Sequence, residues 1–480
     1  MSPHALKPLF DFALHKPQRD EILALIREFA GQDPYRSAVV SELQLDDDFY
    51  RRPLRPEDLE FLKFQKPVSG PTVSRLQSLA TNRLLLSINE LGVARLPRRS
   101  HDGDFQRYET FYDENVQVLG TRIRPFLESY GFSYLSEHAL TQADRAGYAA
   151  TLTSVYEAQR AHWSEMFELL SRNDYLEQGL RFILVQQWAL APSRRVALAR
   201  AQAAGYFAPV VEADRPRLAG ALPADAALER MAAMMQVSKL PHSYWQFYLP
   251  TSLSKANLLY ALGSRPDRAF ALLGAAYIAE VEWLAYGAAL MSACPHLAHG
   301  SAAPADAGRL LADTLARFGR AFSAVEEANG PAALMQLGQG LGAGAKLAER
   351  GRWDLGEQLR WLSAIPRYCV WAKEIDQRIA AECPGIDRET FVEPREMCST
   401  THVHNDHRLV VIEEGDMIFW GNVGMQLPMT VGEMVLIPDG RLHGSTVTSA
   451  QCTYHQPIIP DEWIAELLAR EDRVQGQLVR

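Results

Sequence analysis

Cysteine is scarce in this 480-residue chain, with five residues and no Cys-x-x-Cys pair. The odd number and the lack of a pair make reduced thiols in a cytoplasmic protein the simplest account. No run of about 18 apolar residues is present, so no membrane span is expected. The first residues of the chain also lack an apolar segment long enough for a signal peptide.

Concentrated positive charge is absent as well. The net charge is -9, and pairs such as Arg98-Arg99 and Arg194-Arg195 stand alone. This balance argues against nucleic acid as a partner. The composition, 47% hydrophobic and 22% charged, is typical of a soluble globular protein, and the length predicts two to four domains.

Histidine, in contrast, occurs at a meaningful spacing near the C-terminus. The segment Thr401–His407 reads THVHNDH, and Gly432–His443 reads GEMVLIPDGRLH. Residues two apart on a strand point to the same side, so His402 and His404 are predicted to present both imidazoles together. His443 on a partner strand would then complete a facial metal site.

These two segments resemble the two sequence motifs of the cupin family. The order His-x-His, hairpin, Gly-x5-Pro-x-Gly-x2-His is the cupin order, with a turn signal just before His443. The usual carboxylate after the second histidine is replaced here by Arg408 or Leu409, so the resemblance implies a site of three histidines. His407 would point away from the pair, and the motif does not favour a thiolate ligand from Cys398.

Neutral imidazoles suit Fe(II), Zn, Cu and Ni, and three nitrogens leave positions open for substrate or dioxygen. A closed structural site would need a fourth protein ligand. The alternative is a small barrel whose histidines are satisfied core residues.

The rest of the chain predicts mainly helices from its apolar periodicity. The predicted helical segments are Gln18–Ala30, Thr72–Leu91, Arg145–Leu170, Leu176–Leu190, Ser193–Ala204, Ala226–Val237, Leu253–Leu262, Arg268–Ser292 and Pro366–Ala381, with another beginning at Pro460. The fold class is therefore a multidomain protein, an all-α bundle followed by an all-β cupin barrel. We expect a helical arm over 1–125, a candidate dimerisation element; a helical domain with a linker helix over 126–385; and a cupin domain with a C-terminal helix over 386–480.

Parts of the bundle resemble the haem-oxygenase-like di-metal oxidases. Tyr244–Leu249 and Gly274–Glu280 carry this resemblance, and Glu280 is the residue that matches a metal ligand of that fold class. The late helix of such proteins carries His-x3-Asp-x2-His. Asp306, Leu310 and Asp313 fall at those positions here, so the resemblance implies a bundle that has kept its fold and lost its di-iron site.

Arm, bundle and cupin in this order resemble the N-nitrosourea-forming metalloenzymes of streptozotocin biosynthesis. Tyr50–Pro56, Arg122–Pro125 and Val392–Arg395 are similar to that family outside the cupin motifs. The resemblance implies that His402, His404 and His443 bind a mononuclear iron that forms an N-N bond oxidatively. In that family the helical domain hydroxylates guanidine nitrogens. The empty ligand positions here imply that the substrate is hydroxylated elsewhere, or that a different oxidation takes place at the cupin alone.

The favoured function is a non-haem Fe(II) oxygenase of natural-product biosynthesis that uses dioxygen. Its expected substrate is an amino-acid-derived amine, hydroxylamine or guanidine, and a homodimer is the expected assembly. One alternative is a cupin dioxygenase or isomerase of another substrate, with the helices as a scaffold. The other is a cupin that binds a ligand without catalysis; the lack of a basic patch weighs against a transcriptional version.

Overall fold

The computed structural model describes residues 7–30, 79–91, 113–138, 140, 144–219, 225–237, 244, 247–294, 307–395, 401–404, 406–422 and 425–478. Some sequence predictions concern residues outside these ranges. They are the family-like stretch Tyr50–Pro56, the first part of the helix predicted from Thr72, Cys398 and Asp306.

Helices make up the described chain as far as residue 382. Labelled in chain order, they are α1 Arg19–Ala30, α2 Leu79–Leu91, α3 Glu114–Phe132, α4 Arg145–Arg172, α5 Leu176–Leu184, α6 Ala191–Ala203, α7 Arg215–Ala219, α8 Asp225–Met234, α9 Pro250–Gly263, α10 Ala269–Ala293, α11 Ala307–Leu362 and α12 Ile365–Glu382. The helices predicted from periodicity are confirmed, with ends shifted by a few residues. Asp144 begins α4 because its carboxylate accepts hydrogen bonds from the first free backbone N–H groups, including that of Gly147 at 2.7 Å.

The segment predicted as one helix from Leu176 to Leu190 is divided in the structure. Its α-helical part ends at Leu184, and Val185–Ala189 forms a π-helical turn. Within this turn, Gln186 donates to the backbone O of Phe247 and accepts from the backbone N of Leu249. The wider turn therefore lets one side chain bind the segment that leads into α9.

The centre of the bundle is the packing of α10 against α11. Leu272, Tyr277 and Val281 on α10 are fully buried. A Cβ placed on Gly340 of α11 would lie only 1.8 Å from the backbone O of Ala271, so the two helix backbones come together where a side chain has no room. The glycine therefore sets the distance between these two core helices.

Helix α11 is bent near its middle. Gly330 has φ 73° and ψ -169°, and Pro331 follows it. The left-handed φ suits glycine, and proline cannot continue the preceding hydrogen-bond ladder. Two helical segments therefore meet at Gly330, and the second, which ends at Leu362, carries residues such as Gln358 and Trp361 to the β domain.

Among the described residues, one segment, Pro266–Ala293, is long and apolar enough to cross a membrane by length and composition. Its most apolar window is 78% buried within the protein. A core helix of a globular protein has the same length and composition, and the burial of α10 fits that description.

The C-terminal part folds into two antiparallel sheets. The strands are β1 Thr390–Pro394, β2 His407–Glu414, β3 Met417–Asn422, β4 Met425–Met429, β5 Met434–Ile437, β6 Gly444–Val447, β7 Gln451–His455 and β8 Ile458–Ile459. One sheet has the order β1-β7-β2-β5 with β8 also on β2, and the other has the order β4-β3-β6. The fold class predicted from sequence, helices followed by a cupin-like β domain, is confirmed.

Two helices join the parts. Helix α12 packs on β5, and α13 Asp461–Leu478 packs back on α12. Arg378 of α12 donates to Glu466 of α13 at 2.7 Å and lies 4.2 Å above the ring centre of Trp463. The helix predicted from Pro460 is confirmed, and it covers the linker helix.

Candidate metal centre

Three histidine side chains meet on the β domain. The rings of His402, His404 and His443 have centroids 4.5 to 5.0 Å apart. One nitrogen from each ring lies within 4.8 Å of the others. The structure thus brings together the three residues that the two motifs predicted as metal ligands.

The backbone reaches this arrangement differently from the sequence prediction. His402 and His404 precede β2, which begins at His407, and do not lie on a regular strand. Instead His402 and His443 form an isolated antiparallel bridge, with N···O distances of 3.0 and 3.1 Å. The backbone N of Gly440 donates to the O of His404 at 2.7 Å. A short extended segment held by two partners therefore replaces the predicted strand.

The hydrogen bonds of His443 determine which of its nitrogens is available. Its Nδ1 lies 2.8 Å from the backbone O of Arg441. A carbonyl only accepts, so the proton sits on Nδ1 and the lone pair is on Nε2. That Nε2 is buried and has no hydrogen-bond partner among the residues that the structure describes. Burial, and then the neighbouring His402, lowers the pKa of His443 well below its ordinary value, so the ring is neutral at pH 7.

The donor set fits a divalent transition-metal ion. Nitrogens bound at about 2.1 Å to one ion, at 90° to 109°, lie roughly 3.0 to 3.4 Å apart. The Nε2 atoms of His402 and His404 are 3.1 Å apart. The neutral ring of His443 adds a buried nitrogen that nothing else binds, and an ion would supply the missing partner.

Aromatic residues form one wall of the site. The ring of Phe419 on β3 stacks on His443 with centroids 5.9 Å apart and planes at 21°. Trp361 of α11 meets Phe419 edge-on at 6.2 Å and donates from Nε1 to the backbone O of Leu436 at 3.2 Å. A residue of the helical part thus supports the ring that lies against a candidate ligand.

Two further helical residues hold the histidine segments. Gln358 of α11 is fully buried; its Nε2 donates to the O of Leu442 at 3.0 Å and its Oε1 accepts from the N of the same residue at 2.9 Å. Arg83 of α2 donates to the O and the Oγ1 of Thr401, both at 2.8 Å. Leu442 and Thr401 are the residues immediately before His443 and His402. The two contacts fix the backbone on both sides of the site.

Sequence reasoning did not find Arg83 and Gln358. Each lies on a helix and bonds to backbone far along the chain. Arg83 follows the polar pair Thr81-Asn82 and precedes Leu84-Leu85-Leu86, and nothing in that pattern indicates that its side chain is buried.

The other candidate ligands near the motifs have different partners. His407 accepts from the backbone N of Asp439 at 3.0 Å through Nδ1. Glu413, near the turn that ends β2, pairs with His455 at 2.9 Å. Cys398 lies outside the described residues.

Glu280, the candidate in the helical part, is buried on α10 and bound to an arginine. Arg317 of α11 donates to both of its carboxylate oxygens, and Thr314 donates to Oε1 at 3.0 Å. Leu310 and Asp313 occupy the same stretch of α11, and Asp313 accepts from Arg317 at 3.2 Å. A guanidinium therefore supplies the positive charge beside this carboxylate.

A second carboxylate of α10, that of Glu282, is also paired with a cation. Glu282 accepts from Lys255 of α9 and from Gln159 of α4, each at 2.6 Å. Sequence reasoning had not singled it out. Within the part of the chain that the structure describes, His402, His404 and His443 are the group of potential ligands close enough to share one ion.

The chain thus combines a helical part with a cupin-like β domain that carries three converging imidazoles, a candidate metal site. The chain is 26% identical over 434 residues to a nitrosourea synthase of Streptomyces achromogenes subsp. streptozoticus; the match covers 85% of this chain and 89% of that protein. This similarity over most of both chains supports a relationship between them. No protein-family model matches the chain.

Proposed function

We propose that the protein is a non-haem iron oxygenase of natural-product biosynthesis that acts on a nitrogenous small molecule. The observation that carries the proposal is the convergence of His402, His404 and His443 within 4.8 Å. The similarity to a protein named nitrosourea synthase supports oxidative nitrogen chemistry, including formation of an N-N bond. The proposed substrate class is an amine, hydroxylamine or guanidine derived from an amino acid.

His402, His404 and His443 would hold the Fe(II), which would supply redox chemistry with dioxygen and the nitrogenous substrate. The protein's own residues prepare that centre. Arg441 keeps the proton on Nδ1 of His443 through its backbone O, which leaves Nε2 as the ligand atom. Phe419 and Trp361 cover one side with apolar surface, which limits the access of bulk water.

We further propose that the helical part binds no metal pair. Arg317 and Lys255 already neutralise the two carboxylates that α10 carries into the bundle. A metal ion near Glu280 would have to displace a buried guanidinium, and the ion and the guanidinium would repel each other. If all the chemistry takes place at the cupin, either the substrate already carries its N-hydroxyl group or the protein catalyses a different oxidation.

Metal counting after anaerobic loading with Fe(II) tests the proposal. We expect about one iron per chain, its loss in His443→Ala, and its retention in the control His455→Ala, which removes a histidine paired with Glu413. Iron-dependent oxygen uptake with N-hydroxylated guanidines would support the reaction class. Zinc in place of iron, with no uptake on any such compound, would contradict it, and two or three irons per chain would contradict the neutralised bundle.

A further inference from the structure

The helical part has a cleft of its own, which lies between α6, α7, α9 and α10. Three arginines line it, Arg194 and Arg195 on α6 and Arg217 on α7, and we call it the arginine cleft. Trp283 and Glu280 of α10 form the facing side. These residues come from helices that contribute nothing to the three-histidine centre.

Arg194 is the cation in the cleft without a carboxylate partner. Its guanidinium carbon lies 4.8 Å from the ring centre of Trp283, and one of its nitrogens donates to the backbone O of Gln187 at 2.7 Å. Among the described residues no carboxylate lies within ion-pair distance of Arg194. Burial lowers the pKa of Arg194 to about 10, so its charge is retained at pH 7. Its remaining N–H groups make no hydrogen bond to the described protein and are available to a ligand.

The neighbouring charges are already balanced by the protein. Arg195 pairs with Asp225, a carboxylate that also accepts from Trp283 at 2.8 Å. Arg317 pairs with Glu280, and Asp313 lies between Arg317 and Arg217, at 3.2 and 3.9 Å. Glu282, whose charge also acts on Arg194, is paired with Lys255. Among the described residues around the cleft, five cationic groups therefore face four carboxylates. The surplus is one positive charge, and it comes from Arg194.

The size and lining of the cleft limit what that charge can bind. The cleft has a volume of about 60 Å³, several times what one water molecule needs, and it is partly open to solvent. Ala276, Ala279 and Leu259 form an apolar floor beside the arginines. A planar carboxylate on a short aliphatic chain matches both the guanidinium fork and this floor.

We propose that the arginine cleft binds the carboxylate of a small organic acid, with Arg194 as its principal partner. Glu280 does not oppose this because Arg317 neutralises it. The proposal does not depend on iron or on the function assigned to the β domain. It assigns to the helical part a ligand site of its own, in the region where the sequence resemblance placed a lost metal centre.

Calorimetric titration with butyrate tests the proposal, using the full chain and the variant Arg194→Leu. We expect one saturable site in the wild type and affinity at least about tenfold lower in Arg194→Leu, since a charge-assisted pair with a partly buried guanidinium is lost. Arg194→Lys, which keeps the charge without the fork, should fall between them. Arg200→Leu changes an exposed arginine of the same helix outside the cleft, and it should bind as the wild type does. Melting temperatures would show that each variant is folded.

Three further measurements locate and identify the site. Butyrate should bind equally well to His443→Ala, which separates this cleft from the histidine centre, and butylamine should not bind. Loss of butyrate binding in His443→Ala, equal binding by Arg194→Leu, or no binding by the wild type would overturn the proposal. Inorganic phosphate binding more tightly than butyrate would overturn the assignment to carboxylates.

Discussion

The side-chain amide of Gln358 is the residue-scale link between the helical part and the candidate metal centre. It binds both backbone groups of Leu442, one residue from His443. Replacing it with leucine leaves a buried N–H and C=O unpaired and frees the segment that carries the ligand. We expect Gln358→Leu to lower metal affinity by roughly tenfold, as changes to groups that orient ligands do, measured by competition with a chelator.

The control for this prediction comes from the same helix. Gln339→Leu removes a buried amide that binds the backbone O of Lys7 at 2.9 Å. Gln339 is on the same helix as Gln358 but about five turns away from it. The substitution should cost stability without changing metal affinity. Gln358→Glu keeps the acceptor for the N of Leu442 and should recover part of the affinity. Equal affinity in Gln358→Leu and the wild type would show that the amide does not position His443.

The histidines were found from sequence because their spacing is itself the signal. His402, His404 and His443 belong to two short motifs, and turn residues mark the order of the elements. Gln358 and Arg83 give no such signal, because what they bind is backbone 84 and 318 residues away. Contacts of that kind depend on how the helical part docks on the sheets, and local pattern does not contain that information.

Glu128 of α3 leads to a pH prediction. It is buried, its Oε1 has no hydrogen-bond partner in the described part of the chain, and burial raises its pKa from 4.5 to about 7. A carboxyl whose folded pKa is above its unfolded pKa costs stability as pH rises from 4.5 through 7, and the cost is constant above that range. At pH 8 the shift corresponds to about 3 kcal/mol. Glu128→Gln should flatten the decrease in unfolding free energy between pH 4.5 and 7, measured with urea; an unchanged pH profile would contradict the assignment.

At the scale of elements, periodicity predicted the helices well and their interruptions poorly. The apolar stripes between Arg145 and Ser292 are helices, because burying one face of each is the dominant local requirement. The π-helical turn at Val185–Ala189 was not predicted, since it depends on Gln186 reaching Phe247 and Leu249. Helix α10 is buried on nearly all sides, so the spacing of its apolar residues does not indicate which helices pack against which of its faces.

The contact between α10 and α11 supports a prediction about glycine. A Cβ at Gly340 would overlap the backbone O of Ala271, and backbone cannot move aside as a flexible side chain can. We expect Gly340→Ala to lower the free energy of unfolding by about 2 to 3 kcal/mol, the usual cost of overpacking. Gly385→Ala, where no atom of the described residues lies within 4 Å of the added carbon, is the matched control and should be close to neutral. Equal stability of the two variants would mean that the helices separate without cost.

At the scale of the whole molecule, the candidate metal centre depends on segments far apart in the chain. Arg83 on α2 holds the segment before His402, and Gln358 on α11 holds the segment before His443. The helical part therefore acts as the outer support of the centre. The two histidine motifs predicted the candidate ligands and the cupin-like β fold, whereas the way the helices hold the histidine segments appeared only in three dimensions.

This arrangement predicts that metal binding stabilises helices as well as strands. A ligand that binds the folded state alone adds about 4 kcal/mol at a concentration 1,000 times its Kd, and the gain reaches every element that must be in place for binding. With Zn(II) as a redox-inert probe, amide hydrogen exchange should slow in α2, in the C-terminal part of α11 and in the β domain. Exchange in α8, which lies elsewhere in the bundle, should not change. In Arg83→Met the protection of α2 should disappear while that of the β domain remains. Protection confined to the β domain in the wild type would show that the helices do not share in holding the centre.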